Sequence, residues 1–147
     1  MSELDRPPDM PSHPVVITFP VQWGDQDPFG HVNNVVYFRW FESARIHYFR
    51  QLNLEQKRPK GIGPILASIK CDYKRQLTYP DTLFISATIT EIGRTSLKMS
   101  HVIYSAEHQA IAAHGESVIV MYDYSDGRSV VVPDDIRQMI DSLEGRV

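Results

Sequence analysis

Twelve residues, "WGDQDPFGHVNN" from Trp23 to Asn34, gather much of the polar chemistry of this chain: Asp25, Asp27, His31, Asn33 and Asn34, with Pro28 and Gly30 among them. A carboxylate can serve as general base or nucleophile, and a nearby histidine can orient water or a substrate carbonyl. The same residues equally make a turn followed by a helix cap. Asp27, ahead of Pro and Gly, suits either role. Asp25 reads as structural, bonding loop N–H groups. His31 reads as a hydrogen-bonding prop or as an orienting group, and Asn33 and Asn34 most simply as caps. The choice depends on the elements that hold these residues.

Before them, Val15 to Trp23 is apolar and β-rich, a short strand. After them, Val35 to Leu52 contains no Gly or Pro. Its apolar residues Tyr37, Phe38, Phe41, Ala44, Tyr48, Phe49 and Leu52 recur at spacings of three and four, leaving a narrow polar stripe of Arg39, Glu42, Ser43 and Arg50. That pattern predicts a buried helix. A polar loop, "NLEQKRPKGIGP", follows, and the period then changes to two. Ile65–Tyr73, Leu83–Thr90, Ser96–Tyr104 and Ile111–Tyr122 read as strands, with Gly115 a candidate bulge. Their short connections suit antiparallel neighbours. "PDDIRQMIDSL" from Pro133 reads as a terminal helix, with acids in its first turn. One strand, one long helix and four antiparallel strands make an α+β domain in which a curved sheet wraps the helix.

The totals fit this. The chain has 147 residues, the size of one domain, and a net charge of −3. No basic stripe points to nucleic acid and no apolar run approaches a membrane span. The Pro-rich, polar residues 1–14 are expected to form a flexible arm outside the domain of residues 15–147. The single cysteine, Cys71, falls on an apolar strand face as a core residue and suits a reducing cytoplasm. His and Cys are too scattered for a metal site, and no Walker or dinucleotide glycine pattern calls for a cofactor.

"WGDQDPFGHVNNVVYFRWFESAR" closely resembles the signature of the 4-hydroxybenzoyl-CoA thioesterase-like acyl-CoA thioesterases, which have the hotdog fold. The matching residues are Asp25, Asp27, Gly30, His31, Val32, Asn33 and Asn34, followed by the aromatic helix. "CDYKRQLTYPDTL", Cys71 to Leu83, is similar to the family's next strand and turn. The resemblance implies hydrolysis of a fatty or aromatic acyl-CoA to the free acid and CoA. It implies Asp27 as the catalytic carboxylate, a backbone N–H at Asn34 polarising the carbonyl, and a homodimer or homotetramer with sites at the subunit interface.

Other residues bear on the same reading. Tyr37 and Phe41 of the helix are core residues that can also line an acyl pocket. Arg94, in "EIGRTSLK", stands where relatives often carry a cation for CoA, with Lys70, Lys74 and Arg75 as alternatives. Glu42, between Arg39 and Arg45, is expected in an ion pair. A non-catalytic acyl-binding or scaffold protein, an acyl-carrier-protein thioesterase and an enoyl-CoA hydratase of the same fold are the competing readings. The hydratase pattern, Asp followed by Asn-Pro-x-His, matches poorly here.

Overall fold

The computed structural model describes residues 6–54 and 61–146. The chain runs β1 (Val15–Pro20), a 3-10 turn (Trp23–Asp25), α1 (Asn34–Gln51), β2 (Ile62–Tyr73), β3 (Thr82–Ile92), β4 (Ser96–Ser105), β5 (Ala110–Asp123), β6 (Arg128–Ser129) and α2 (Asp134–Glu144). The strands form one antiparallel sheet in the order β1-β3-β4-β5-β2, with β6 added to β5. This is the α+β hotdog arrangement, with the sheet curved around α1.

The helix packs through Val36, Tyr37, Trp40, Phe41, Ala44, Tyr48 and Phe49 onto Leu83, Ile85, Ala87 and Ile89 of β3 and the inward residues of β4 and β5. Burial is one-sided: Val35, Arg39, Glu42, Ile46, His47 and Arg50 face outward. The helix is therefore covered on one side only. Irregularities between Leu66 and Ser68, Ile89 and Glu91, and Ile103 and Tyr104 bend the sheet.

Gly115 is not one of them. It pairs in register with Cys71 and His101, and a Cβ there would lie 2.5 Å from the Phe41 ring. The glycine makes room for Phe41, which stacks on His101 with ring centroids 4.9 Å apart.

Several element boundaries differ from expectation for local reasons. β1 stops at Pro20, which has no N–H for the ladder, and Trp23 belongs to the following turn. β2 starts earlier, at Ile62, and includes Pro64; an edge strand tolerates proline because one side of its backbone needs no partner. Part of the loop expected before it, residues 55–60, lies outside the described residues, as do residues 1–5 of the expected arm. Part of the rest of that arm is packed: Met10 is buried with Val102 and Tyr104 on the sheet's outer face, and His13 Nδ1 lies 2.7 Å from the Ser86 hydroxyl, while Pro8, Asp9, Ser12 and Pro14 are exposed. Cys71 is half-buried on edge strand β2, and burial pushes its thiol up to about 11.

Candidate active site

The loop ahead of α1 is closed on itself by its own backbone. Gln26 and Val32 form a β-bridge. Within it the Asp27 N–H donates to the His31 carbonyl at 2.8 Å, and the Gly30 N–H to the Asp27 carbonyl at 3.1 Å. Gly30 has φ +82, a left-handed conformation that favours glycine. This folding aims the half-buried Asp27 carboxylate back into its own turn. Oδ1 accepts from the Phe29 N–H at 2.9 Å and the His31 N–H at 3.4 Å. Oδ2 accepts no hydrogen bond among the described residues. One oxygen is fixed and the other is open.

Asp25 is structural, as expected. Its Oδ2 accepts the Gln22 N–H at 2.8 Å and its carbonyl accepts the Asn33 N–H at 2.9 Å. The Val32 N–H goes to the Leu77 carbonyl at 2.8 Å, tying the loop to the segment before β3. Asn33 is the N-cap: Oδ1 accepts from the Val35 N–H at 3.0 Å and its carbonyl from the Val36 N–H at 3.0 Å. The Asn34 N–H is thus passed over and has no acceptor among the described residues. A helix N-terminus carries partial positive charge, so this open N–H is suited to a developing oxyanion. Asp27 and Asn34 are brought to the same mouth of α1 by one short loop.

His31 joins the loop through its backbone. Its imidazole has no hydrogen-bond partner among the described residues. Tyr37 is buried beneath the mouth, its ring edge-on to Trp40 at 5.3 Å and to Tyr73 at 4.8 Å. Burial raises its phenol to about 12, although a hydrogen bond with the Leu77 backbone opposes the shift.

Arg94 is not brought to this mouth within one chain. β3 begins beside the loop, where the Val21 N–H meets the Asp81 carbonyl, and Arg94 follows its far end. About 40 Å of strand path separates them at ~3.3 Å per residue. Lys74 and Arg75 directly follow Tyr73, at the end of the sheet beside this loop. Lys70 pairs with Asp72 at 3.7 Å. Glu42 lies 3.9 Å from the Arg45 guanidinium, the ion pair expected for it.

Sequence reasoning missed Tyr73 as a site residue. Its hydroxyl donates to the Asn34 carbonyl at 3.1 Å and ties β2 to the first helical residue. Alternation along β2 showed its face but not what it reaches across the fold. It also missed an apolar rim: Trp23 (73% exposed), Phe29 (85%), Val35 (56%), Tyr73 and Tyr79 all stand open around the mouth. Exposed aromatic clustering of this kind marks a surface that another molecule covers. Among the described residues no group of three His, Cys, Asp or Glu side chains is arranged to hold a metal ion.

A long helix wrapped by an antiparallel sheet is the hotdog class of fold, and the loop ahead of α1 brings a carboxylate and an open N–H toward the helix mouth. Residues 21–140 match the thioesterase-like superfamily, and the chain belongs to that family. Over 120 residues it is 31% identical to the uncharacterized protein YsmA of Bacillus subtilis (strain 168), covering 82% of this chain and 80% of that one. Its structure is similar to a thioesterase of Thermus thermophilus solved with coenzyme A and Zn, at 33% identity and TM-score 0.82, covering 94% and 99% of the two chains. It is also similar to the PA2801 protein of Pseudomonas aeruginosa, at 30% identity and TM-score 0.78, covering 87% and 98%. The protein is a thioester hydrolase.

Proposed function

We propose that the protein hydrolyses a fatty or aromatic acyl-CoA to the free acid and CoA, with Asp27 as the catalytic carboxylate. The observation that carries this is the pairing of an open Asp27 Oδ2 with an open Asn34 N–H at one helix mouth. In the nucleophilic route Oδ2 attacks the thioester carbonyl carbon. The C–S bond breaks, CoA leaves as thiolate, and water then cleaves the acyl–aspartyl anhydride. In the general-base route Oδ2 takes a proton from water as that water attacks the same carbon; the tetrahedral intermediate then collapses, the C–S bond breaks, and CoA leaves as the thiol with that proton. Both routes put negative charge on the carbonyl oxygen, and the Asn34 N–H is the donor for it. His31 and Tyr37 border this reacting centre as substrate-binding residues.

The complete site contains a second copy of the chain. β2 is an edge strand, twelve residues long, with Ile65 and Leu66 exposed. Antiparallel pairing of two such edges sets the Ile62 end of one against the Tyr73 end of the other. Arg94 of the second copy then lies at the end that carries Asp27, where it and Lys74 or Arg75 can meet the CoA phosphates. This assembly also covers the apolar rim. A cytoplasmic location suits a CoA ester substrate and the single free thiol.

The test is thiol release from short, long and aromatic acyl-CoAs by wild type and Asp27→Asn. Turnover by wild type on one class, lost in the variant while CoA binding persists, supports the reading. Full turnover by Asp27→Asn overturns it.

A further inference from the structure

The side of α1 turned away from the sheet carries Arg39, Ser43, Ile46, His47 and Arg50, spaced by three and four and therefore aligned along the helix. Ser43, Ile46, His47 and Arg50 line a groove with Val16, Ile17, Thr18 and Phe19 of β1, about 690 Å³ in volume. Pockets for small organic ligands occupy roughly 300–1,000 Å³. The groove includes none of the catalytic loop.

Its chemistry is two-sided. Val16, Ile17, Phe19 and Ile46 are apolar, and Phe19 and Ile46 are 36% and 40% exposed. Among the described residues its ionisable groups are His47 and Arg50, and no carboxylate lines it. Neither has a hydrogen-bond or ion-pair partner among the described residues. Elsewhere Lys70, Lys98, Arg128 and Arg146 each lie against an acid. In a chain of net charge −3, a groove with no carboxylate and an unpaired guanidinium among the described residues is locally suited to an anion. An exposed apolar lining beside it is suited to a hydrocarbon chain.

We propose that this groove binds an amphiphilic anion, an aliphatic chain ending in a carboxylate, with the tail on Ile17, Phe19 and Ile46 and the head at Arg50. Ser43 to Arg50 spans about 10 Å of helix, which fits a tail of medium length. The inference rests on the groove and does not depend on the catalytic role of Asp27.

Calorimetric titration of decanoate into the full chain tests it, with Arg50→Gln, Ile46→Gln and Asp27→Asn beside wild type. Decyltrimethylammonium supplies the same tail with the opposite charge. Expected are saturable decanoate binding to wild type and Asp27→Asn, weakening of about tenfold in each groove variant, and no binding of the cationic probe. Both groove side chains are exposed, so unchanged melting temperatures confirm that the variants fold. No binding to wild type, equal affinity in the groove variants, or equal binding of the cation overturns the proposal. So does binding lost only in Asp27→Asn, which would locate decanoate at the catalytic loop. If decanoate fails to bind and Ile46→Gln splits an oligomer in sedimentation, the face belongs to a second copy instead.

Discussion

The N-terminal end of α1 is open and its C-terminal end is closed. At the mouth, among the described residues, Asn34 keeps an N–H without an acceptor and Asp27 an oxygen without a donor, and Trp23 and Phe29 stand in solvent. At the other end Leu52 and Leu54 are buried, and their N–H groups turn back to the Phe49 carbonyl. There Glu144, at the end of α2, accepts from the Tyr48 hydroxyl, the Thr88 hydroxyl and the Ile89 N–H, while Arg146 donates to the Ile89 carbonyl. These contacts occupy the stretch of β3 beyond its last pair with β1, Val15 with Ala87. One end of the helix spends its polar groups on stability. The other leaves two of them without a partner among the described residues, the arrangement that the proposed reaction uses.

The largest expected effect breaks the open end. Asp27→Asn should lower kcat by about a thousandfold or more, within the scale for removing a positioned base or nucleophile. Its effect on stability should stay below about 1 kcal/mol, because the amide oxygen can still accept from the Phe29 and His31 N–H groups. Thiol-release kinetics and urea unfolding on the same preparation separate the two quantities.

The reverse pattern should follow at the closed end. Glu144→Ala leaves two hydroxyls and the Ile89 N–H without their acceptor. It should cost about 3 kcal/mol of stability. The kcat per folded molecule should remain near wild type, since the change is at the far end of α1. A matched loss of kcat at unchanged stability would invert the comparison.

These two ends were unequally legible in the sequence. The loop was readable because its residues are local: Asp25, Asp27, Gly30 and Asn33 bond to neighbours a few positions away, and spacing carries that information. The helix and strand faces were readable from their periods. Glu144 was invisible because its partners, Tyr48 and Thr88, are 96 and 56 residues distant. Gly115 was misread for the same reason, as its requirement comes from Phe41 on another element. The resemblance suggested Arg94 as a CoA cation, yet only the sheet's length reveals that its own chain's loop is out of reach. The two-residue strand β6 is too short for any period to show.

Between the ends of the fold lies a buried polar chain that acid should expose. His101 is buried under Phe41. Its Nδ1 lies 3.1 Å from the Ser86 carbonyl, which can only accept, so that nitrogen carries the proton. Nε2 then accepts from the Ser117 hydroxyl at 2.8 Å, and that hydroxyl oxygen accepts from Arg45 at 3.2 Å. Burial lowers the His101 pKa to about 3. An unfolded histidine titrates near 6.5, so on acidification the unfolded chain binds the proton first. The contribution is fully present above about pH 6.5 and is lost as pH falls toward 3. From pH 7 to pH 5 it should amount to about 2 kcal/mol, at about 1.4 kcal/mol per pH unit. Urea unfolding at the two pH values measures it. The His101 ring resonances should not titrate over that range, and a midpoint near 6.5 in the folded protein would remove the argument.

The smallest effect sharpens the comparison at the mouth itself. Tyr73 donates to the Asn34 carbonyl, which belongs to the peptide following the proposed oxyanion donor. Tyr73→Phe keeps the ring that meets Tyr37 edge-on and deletes only the hydroxyl. Because the bond is solvent-exposed, the stability change should be under about 1 kcal/mol. If Tyr73 only braces β2 against the helix, kcat should not move. If it fixes the first turn of α1 so that the Asn34 N–H stays aimed at the developing charge, kcat should fall by about three- to tenfold with KM little changed. That split is the signature of a contact strengthened in the transition state rather than in substrate binding. A rise in KM alone would make Tyr73 part of the substrate rim, leaving Asn33 and the loop to hold the helix mouth.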